Sequence, residues 1–350
     1  MKKYSLLFVF TWLGFAAGAQ FNAEKTPLVT RSLTADDIKN VQVETSGGSI
    51  SVTGVTAAEA KIEVYVIPNN YRENKLSEEE IRQRMAANYK LTIEVGSDHK
   101  LTAIVKTVDK KMDWKKALNF SFRIYVPKNI STNLTTSGGS INLSHLSGNL
   151  DFTTSGGSLN LDDVSGKIDG VTSGGSINVA NSKDNITLTT SGGSITAQKC
   201  DGRIYLSTSG GSIHLGDLKG DIKASTSGGS INGDNVEGDL AAHTSGGGIR
   251  LQNMACNLSA STSGGGIHVE VSELRKSVAL NNSGGNIDVI LPAGKGVDLE
   301  LRGDKIKTDK LENFSGKIED EEISGKLNGG GTSVKVKGGG GRVYLGFAKN

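Results

Sequence analysis

Thr208-Ser209-Gly210-Gly211-Ser212-Ile213 recurs as Thr226-Ser227-Gly228-Gly229-Ser230-Ile231, 18 residues further on, and this recurrence decides the fold. Copies start at Ser137, Ser155, Ser173, Ser191, Ser209, Ser227, Ser245 and Ser263, each 18 residues after the last. A degenerate ninth copy starts at Ser283 after a 20-residue step, and an isolated early copy starts at Ser46. A fixed period of this length marks a solenoid, in which each repeat is one rung and stacking on neighbours supplies the core.

Counting each motif serine as position zero, position 4 is always Ile or Leu, from Ile141 and Leu159 through Ile287. Position 6 is mostly apolar (Leu143, Leu161, Val179, Leu215, Leu251, Val269), with Ala197 and Gly233 as exceptions. Positions 13 and 15 alternate in the same way, as in Ile186 and Leu188. Period-2 alternation is the strand signal, with one face inward. Each rung therefore reads as two short strands, with position 9 (Leu146, Val164, Leu218) turned inward at the bend. The Gly-Gly pair is expected to supply positive φ and to leave no Cβ against the next rung. The threonine before each motif serine is expected to hydrogen-bond along the stack. An antiparallel meander also fits a repeated strand pair, but it needs a second layer to cover its apolar face, and nothing in the chain supplies one. The prediction is an all-β parallel β-solenoid of 18-residue rungs.

Outside the array, Val41 to Val52 reads as a rung-like strand pair, followed by an insertion. Within the insertion Ala60–Ile67, Lys90–Val95, Lys100–Val108 and Asn119–Val126 alternate like strands, and Ser77 to Glu80 is a capping box opening a short helix to about Ala87. This strand-rich N-terminal region with its one helix is expected to cap the first rung and shield its edge. Phe314 to Phe347 reads as degenerate rungs and a cap. The division expected is a leader at 1–19, the N-terminal rung and cap at 20–136, regular rungs at 137–302 and the degenerate end at 303–350.

The leader follows from Lys2 and Lys3, the apolar run Leu6 to Phe15, and Ala17-Gly18-Ala19 before Gln20. The run is shorter than the roughly 20 apolar residues that a membrane span needs. No Cys follows it, and no later segment is apolar enough to span a bilayer, so the expectation is an exported chain in the periplasm, on the outer surface or secreted. Lys2 and Lys3 account for the whole formal charge of +2, so the remainder is balanced and has no long-range field for nucleic acid. With 36% hydrophobic residues and 47 glycines, a thin, elongated core is favoured over a round one. Cys200 and Cys256 lie three rungs apart. At about 4.8 Å per rung that is roughly 14 Å, too far for a bridge, and two unpaired thiols are expected.

No constellation for catalysis, cofactor or metal binding emerges. The Gly corners lack the recurring Asp of calcium-binding repeats, and no Lys-Ser/Thr follows to hold a phosphate. His214 and His268 share position 5 three rungs apart, while His145 and His243 fall elsewhere, so all four read as surface imidazoles. Asp151 and Asp169 share position 14 on adjacent rungs, about 5 Å apart, the spacing of a retaining glycosidase pair. They point outward with no evident cleft. From Ser137 to Ile290 the only aromatics are Phe152, at an inward position, and Tyr205, so the ladder lacks an aromatic platform for sugars. Two candidate contact features remain. Asn142, Asn160, Asn178 and Asn232 form a partial column at position 5, and Trp114 stands among Lys110, Lys111, Lys115 and Lys116.

The Thr-Ser-Gly-Gly-Ser-Ile rungs, the early copy at Thr45 to Ile50 and the Val126-Pro127 strand end before the array resemble the bacterial putative adhesin family, β-strand-repeat proteins of a domain of unknown function. The likeness spans about Val41 to Phe347. It implies a right-handed parallel β-helix in an exported bacterial protein, and it offers no catalytic residues to carry over. The function expected is a non-enzymatic adhesin or scaffold at the cell envelope, whose partner is a protein or glycan of the cell surface. A polysaccharide lyase or hydrolase on a β-helix and an envelope signalling or assembly partner are the alternatives.

Overall fold

Neighbouring copies of the repeat lie side by side as parallel strands in the register that the period dictates. In the computed structural model, which describes residues 26–69, 76–108 and 116–348, Ile141 aligns with Leu159, Leu159 with Ile177, and Ile177 with Ile195. Ile213, Ile231, Ile249, Ile267 and Ile287 continue the same column, all buried. The second column runs Leu150, Ile168, Ile186, Ile204, Ile222, Leu240, Leu258. Antiparallel pairing is absent between these copies. The described residues are mostly β, with 26 strands in one hydrogen-bonded sheet and one α-helix.

Burial follows the alternation. In Ile141–Thr154 the inward positions are 4, 6, 9, 13, 15 and 17, so the threonine before the next motif serine belongs inside. Five rungs run as unbroken 14-residue strands through the bend, where two separate strands were expected. Position 8 makes that bend possible. His145, Asp163, Asn181, Lys199, Asp217, Asn235 and Asn253 all take a left-handed backbone, φ 51–56°. Asn and Asp adopt it at least cost, because their short polar side chains bond locally. Volume is balanced between rungs as well. The Phe152 ring occupies the space beside Gly170, and the Leu251 side chain reaches into the gap at Gly233.

The motif glycines serve one of the two purposes expected of them, close approach of the rungs, and not the other. Positive φ falls at position 11 (Gly148, Gly166, Gly202, Gly220, Gly238), not at the Gly-Gly corner. At the corner it is the second glycine that matters, because any Cβ there would collide with the backbone of the rung below, as Gly211 would with the carbonyl of Gly193. The extra two residues of the 20-residue step are absorbed at the bend, where Ser272 N donates to Met254 O (3.0 Å) and the register shifts.

Both ends of the stack depart from chain order. The early pair Asn40–Thr45 and Ile50–Val55 is not set apart from the array by the insertion. It stacks directly under Ser131–Thr136 and Ile141–Thr154, with Ile50 aligned to Ile141. Its other edge pairs with Lys100–Thr107 and Leu118–Pro127, so the earliest rung is enclosed by later ones. Antiparallel strands Lys61–Pro68 and Tyr89–Val95 then finish the end, and the expected helix forms at Glu78–Asn88 with Ser77 as its cap, burying Ile81.

At the other end Thr332–Gly338 and Arg342–Phe347 lie between Ser277–Asn282/Ile287–Leu291 and Val297–Arg302/Lys305–Thr308, parallel to both. The position-4 column therefore reads Ile287, Val343, Ile306. Glu322–Leu327 and Phe314–Ile318 add antiparallel edges. The outermost carries Lys317 between Glu319 and Glu322, charges that blunt an exposed edge.

Among the described residues one buried side-chain polar atom has no partner. Thr132 Oγ1 is buried without a hydrogen bond, in a column between Val41 and Leu150. Thr132→Val keeps the shape and removes an unsatisfied hydroxyl, so it is expected to stabilise the chain by about 1 kcal/mol, read as a higher urea midpoint.

Candidate functional site

Position 5 points outward between the inward residues at 4 and 6, and the parallel register sets its side chains about 4.8 Å apart. Three asparagines use that spacing. Asn160 Nδ2 donates to Asn142 Oδ1 and Asn178 Nδ2 donates to Asn160 Oδ1, each at 2.9 Å. Each bond fixes an amide plane yet uses one of two N–H groups and one lone pair of an oxygen. The remaining donors and acceptors stay available to solvent. Ser144, Asp162, Ala180 and Gln198 at position 7 form the opposite side of an open trough of about 380 Å³, floored by Leu143, Leu161 and Val179. Asp162 is held in place by Asn181, whose Nδ2 donates to its Oδ1 at 2.7 Å.

Asn232 does not join this ladder. Thr196 and His214 occupy the two intervening places in the column, and Arg250 follows Asn232. It lines a second, charged depression of about 430 Å³ with Arg250, His268 and Asp288. Trp114 and its lysines Lys110, Lys111 and Lys115 lie outside the described residues.

A third depression, of about 520 Å³, was not foreseen in the sequence. It joins Ser259, Ser261 and Asn281 to Glu300, Arg302, Lys335 and Lys337. Lys335 reaches Glu300 at 3.5 Å and Arg302 reaches Glu322 at 3.4 Å. Only the interleaved order of the last strands brings these residues together, and no spacing in the sequence announces it.

The other candidates resolve locally. His145 Nδ1 donates to Asp163 at 2.8 Å, with Lys128 at 3.5 Å, and the His145 bond holds the Asp163 carboxyl below the usual range. His145 and Asp163 share position 8 one rung apart, so the period predicted their meeting although the histidine was read as solitary. His243 lies 2.8 Å from Ser261 Oγ, and His268 is 3.1 Å from Glu270. Asp151 and Asp169 are register partners on the outer side, Asp151 exposed and Asp169 half-buried. Phe152 is buried, while Tyr205 is exposed under the Lys223 ammonium, 5.5 Å from the ring centre.

Cys200 and Cys256 are both free, as expected, and both are buried. Burial pushes the Cys256 thiol up to about 12, with the Asp239 carboxylate adding to the shift, and burial raises Cys200 as well. Thiolate is the reactive form. Neither cysteine should be alkylated at pH 8 until the chain unfolds, and mass spectrometry after iodoacetamide with and without urea checks this. A raised folded pKa gives stability that is complete below the unfolded value near 9 and lost as pH climbs toward 12, so the urea midpoint should fall over that window.

No family model matches the chain, and no curated protein matches it. Among solved structures it is similar to a putative cell adhesion protein from Clostridium sporogenes, at 11% identity over 91% of this chain and 98% of that one, with a TM-score of 0.20. It is also similar to a putative adhesin from Bacteroides fragilis, at 12% identity over 91% of this chain and 96% of that one, with a TM-score of 0.25. Scores this low leave the functional reading to the geometry. Among the described residues no helix is long and apolar enough to cross a membrane.

Proposed function

We propose that this chain is an exported, right-handed β-solenoid that acts without chemistry of its own, as an adhesin or scaffold at the bacterial envelope. The observation that carries the reading is the asparagine ladder. Its amides are fixed by one another and keep spare donors and acceptors at the rung spacing, along a trough open at the surface. Such a row suits a polymer bearing hydroxyl or amide groups at regular intervals, a glycan or an extended protein strand. Each hydrogen bond contributes only about 1 kcal/mol net, so useful affinity comes from several in line. The leader ending at Ala19, and the division of the remaining chain at 136 and 302, belong to the same proposal.

Asn160 is the middle of the ladder, bonded on both sides. Asn160→Val removes its amide and frees both neighbours, and should weaken binding at least tenfold, equivalent to about 1.4 kcal/mol. Binding to panels of cell-surface glycans and envelope proteins measures it. Panels that stay empty with the unaltered chain would remove the adhesin reading.

The enzymatic alternative rests on Asp151 and Asp169, aligned on adjacent strands. Turnover of an acidic or neutral polysaccharide that vanishes in the Asp151→Asn/Asp169→Asn double variant would establish it instead.

A further inference from the structure

We infer that the strand pair Thr332–Gly338 and Arg342–Phe347 is exchanged between two copies of this chain, each pair filling the other copy's slot. The slot is defined by chain order. Its lower wall, Ser277–Asn282 and Ile287–Leu291, and its upper wall, Val297–Arg302 and Lys305–Thr308, both precede the pair that fills it. The upper wall has a support of its own, because Val297–Arg302 also pairs with Glu322–Leu327, which pairs with Phe314–Ile318. A chain folded as far as Leu327 therefore presents two facing parallel edges with nothing between them. Unpaired edges are templates for another strand.

The strand that fits is the chain's own. Val334 lies between Val278 and Leu299, Val336 between Leu280 and Leu301, and Val343 between Ile287 and Ile306. Polar contacts add register. Thr332 Oγ1 donates to Arg275 O at 2.6 Å, Arg342 Nη2 to Asp288 at 2.9 Å, and Tyr344 OH to Asp309 at 2.8 Å. All of these join the pair to its slot, so a pair from a second copy satisfies each of them equally. The two arrangements differ only in the link Asn328–Gly331. All four of its residues have positive φ (50°, 86°, 86° and 156°), and three are glycine. Nothing lies within 4 Å of where a Cβ on Gly329 would stand. Opening the link at Gly329–Gly331 costs the turn bond from Gly330 N to Leu327 O (3.1 Å), while Asn328 keeps its bonds to Asn313 and Lys295. Reciprocal exchange leaves no vacant slot and closes as a two-fold dimer.

The first pair, Asn40–Thr45 and Ile50–Val55, is enclosed in the same way, but the capping strands follow it in the chain and pack over its neighbours. The later pair is the one free to move.

Asn281 and Lys337 are exposed register partners across the lower edge of the slot, which permits a test on the full chain. One batch carries Asn281→Cys and another Lys337→Cys, and the two are mixed, refolded together from urea and oxidised. In this mixture a disulfide between positions 281 and 337 can form only between chains. Thiols docked in the slot react at an effective concentration near millimolar, so the mixed disulfide should exceed by about tenfold that of a control pairing Lys337→Cys with the distant, exposed Lys167→Cys. A mixed disulfide no more abundant than the control overturns exchange. The binding measurements on Asn160 are unaffected by either result.

Discussion

Gly211→Ala should cost about 3 kcal/mol or more, while Gly210→Ala, one residue earlier, should cost nothing measurable or stabilise slightly. The two glycines belong to the same corner and differ in what lies beneath them. A Cβ on Gly211 would fall on the carbonyl of Gly193 and crowd the Ser194 amide. Those atoms are backbone, and no side chain can rotate away. The Gly193 oxygen is also held by Thr208 Oγ1 at 2.8 Å. Relief needs the rungs to part along the stack axis, which strains the hydrogen bonds on both strands of the corner. A Cβ on Gly210 would meet its nearest atoms at 3.5 Å, ordinary contact, and its φ is not positive. There alanine narrows the unfolded ensemble, worth about 0.4–1 kcal/mol to the folded state. Urea unfolding of the two variants side by side measures the difference. Equal losses would mean that flexibility of the corner, and not close approach of rungs, explains the glycine pair.

The same contrast explains what the sequence could reveal. The aliphatic columns at positions 4 and 13 were legible because a fixed stride and period-2 alternation leave one register, and the structure keeps it from Ile141 to Ile287. The helix at Glu78–Asn88 was legible because Ser77 and Glu80 satisfy its first amides locally. Order in space at the ends was not legible. Gly339-Gly340-Gly341 follows the Ser283 copy after a long gap, and a strand edge accepts any later segment of suitable pattern. Nothing local says that Val343 belongs between Ile287 and Ile306. The asparagine ladder was legible as two equal spacings, Asn142 to Asn160 to Asn178, whereas Asn232, expected in the same column, stands apart because Thr196 and His214 intervene. The threonine column was read correctly as bonding along the stack, but its burial was not foreseen. Continuing the alternation from 13 and 15 puts position 17 inside, but a hydroxyl beside a glycine corner reads as part of a turn.

That column gives the other large expected effect. Thr226 is buried, its Oγ1 donates to Gly211 O at 2.8 Å, and the same oxygen accepts from Gly229 N at 3.3 Å. One hydroxyl thus ties the corner of its own rung to the corner below, and the pattern recurs from Thr154 to Thr244, with the donated bond continuing at Thr262. Thr226→Val preserves shape and apolar area but strands a half-buried carbonyl and a half-buried amide, for a loss of about 2–3 kcal/mol. The chain itself supplies the rescue. At the ninth copy Asn282 stands in the threonine place, its Nδ2 donating to Gly265 O at 2.7 Å and its Oδ1 accepting from Gly284 and Gly285 at 3.2 Å. An amide can therefore do both tasks of the hydroxyl, and Thr226→Asn should retain more than half of what Thr226→Val loses, although asparagine is the poorer strand former. Urea midpoints should rank Thr above Asn above Val. Helix and strand propensity alone would reverse the last two, as would a core that needed only apolar volume at this position, so a valine variant as stable as the unaltered chain would show that the corners are held by the backbone ladder without the threonines.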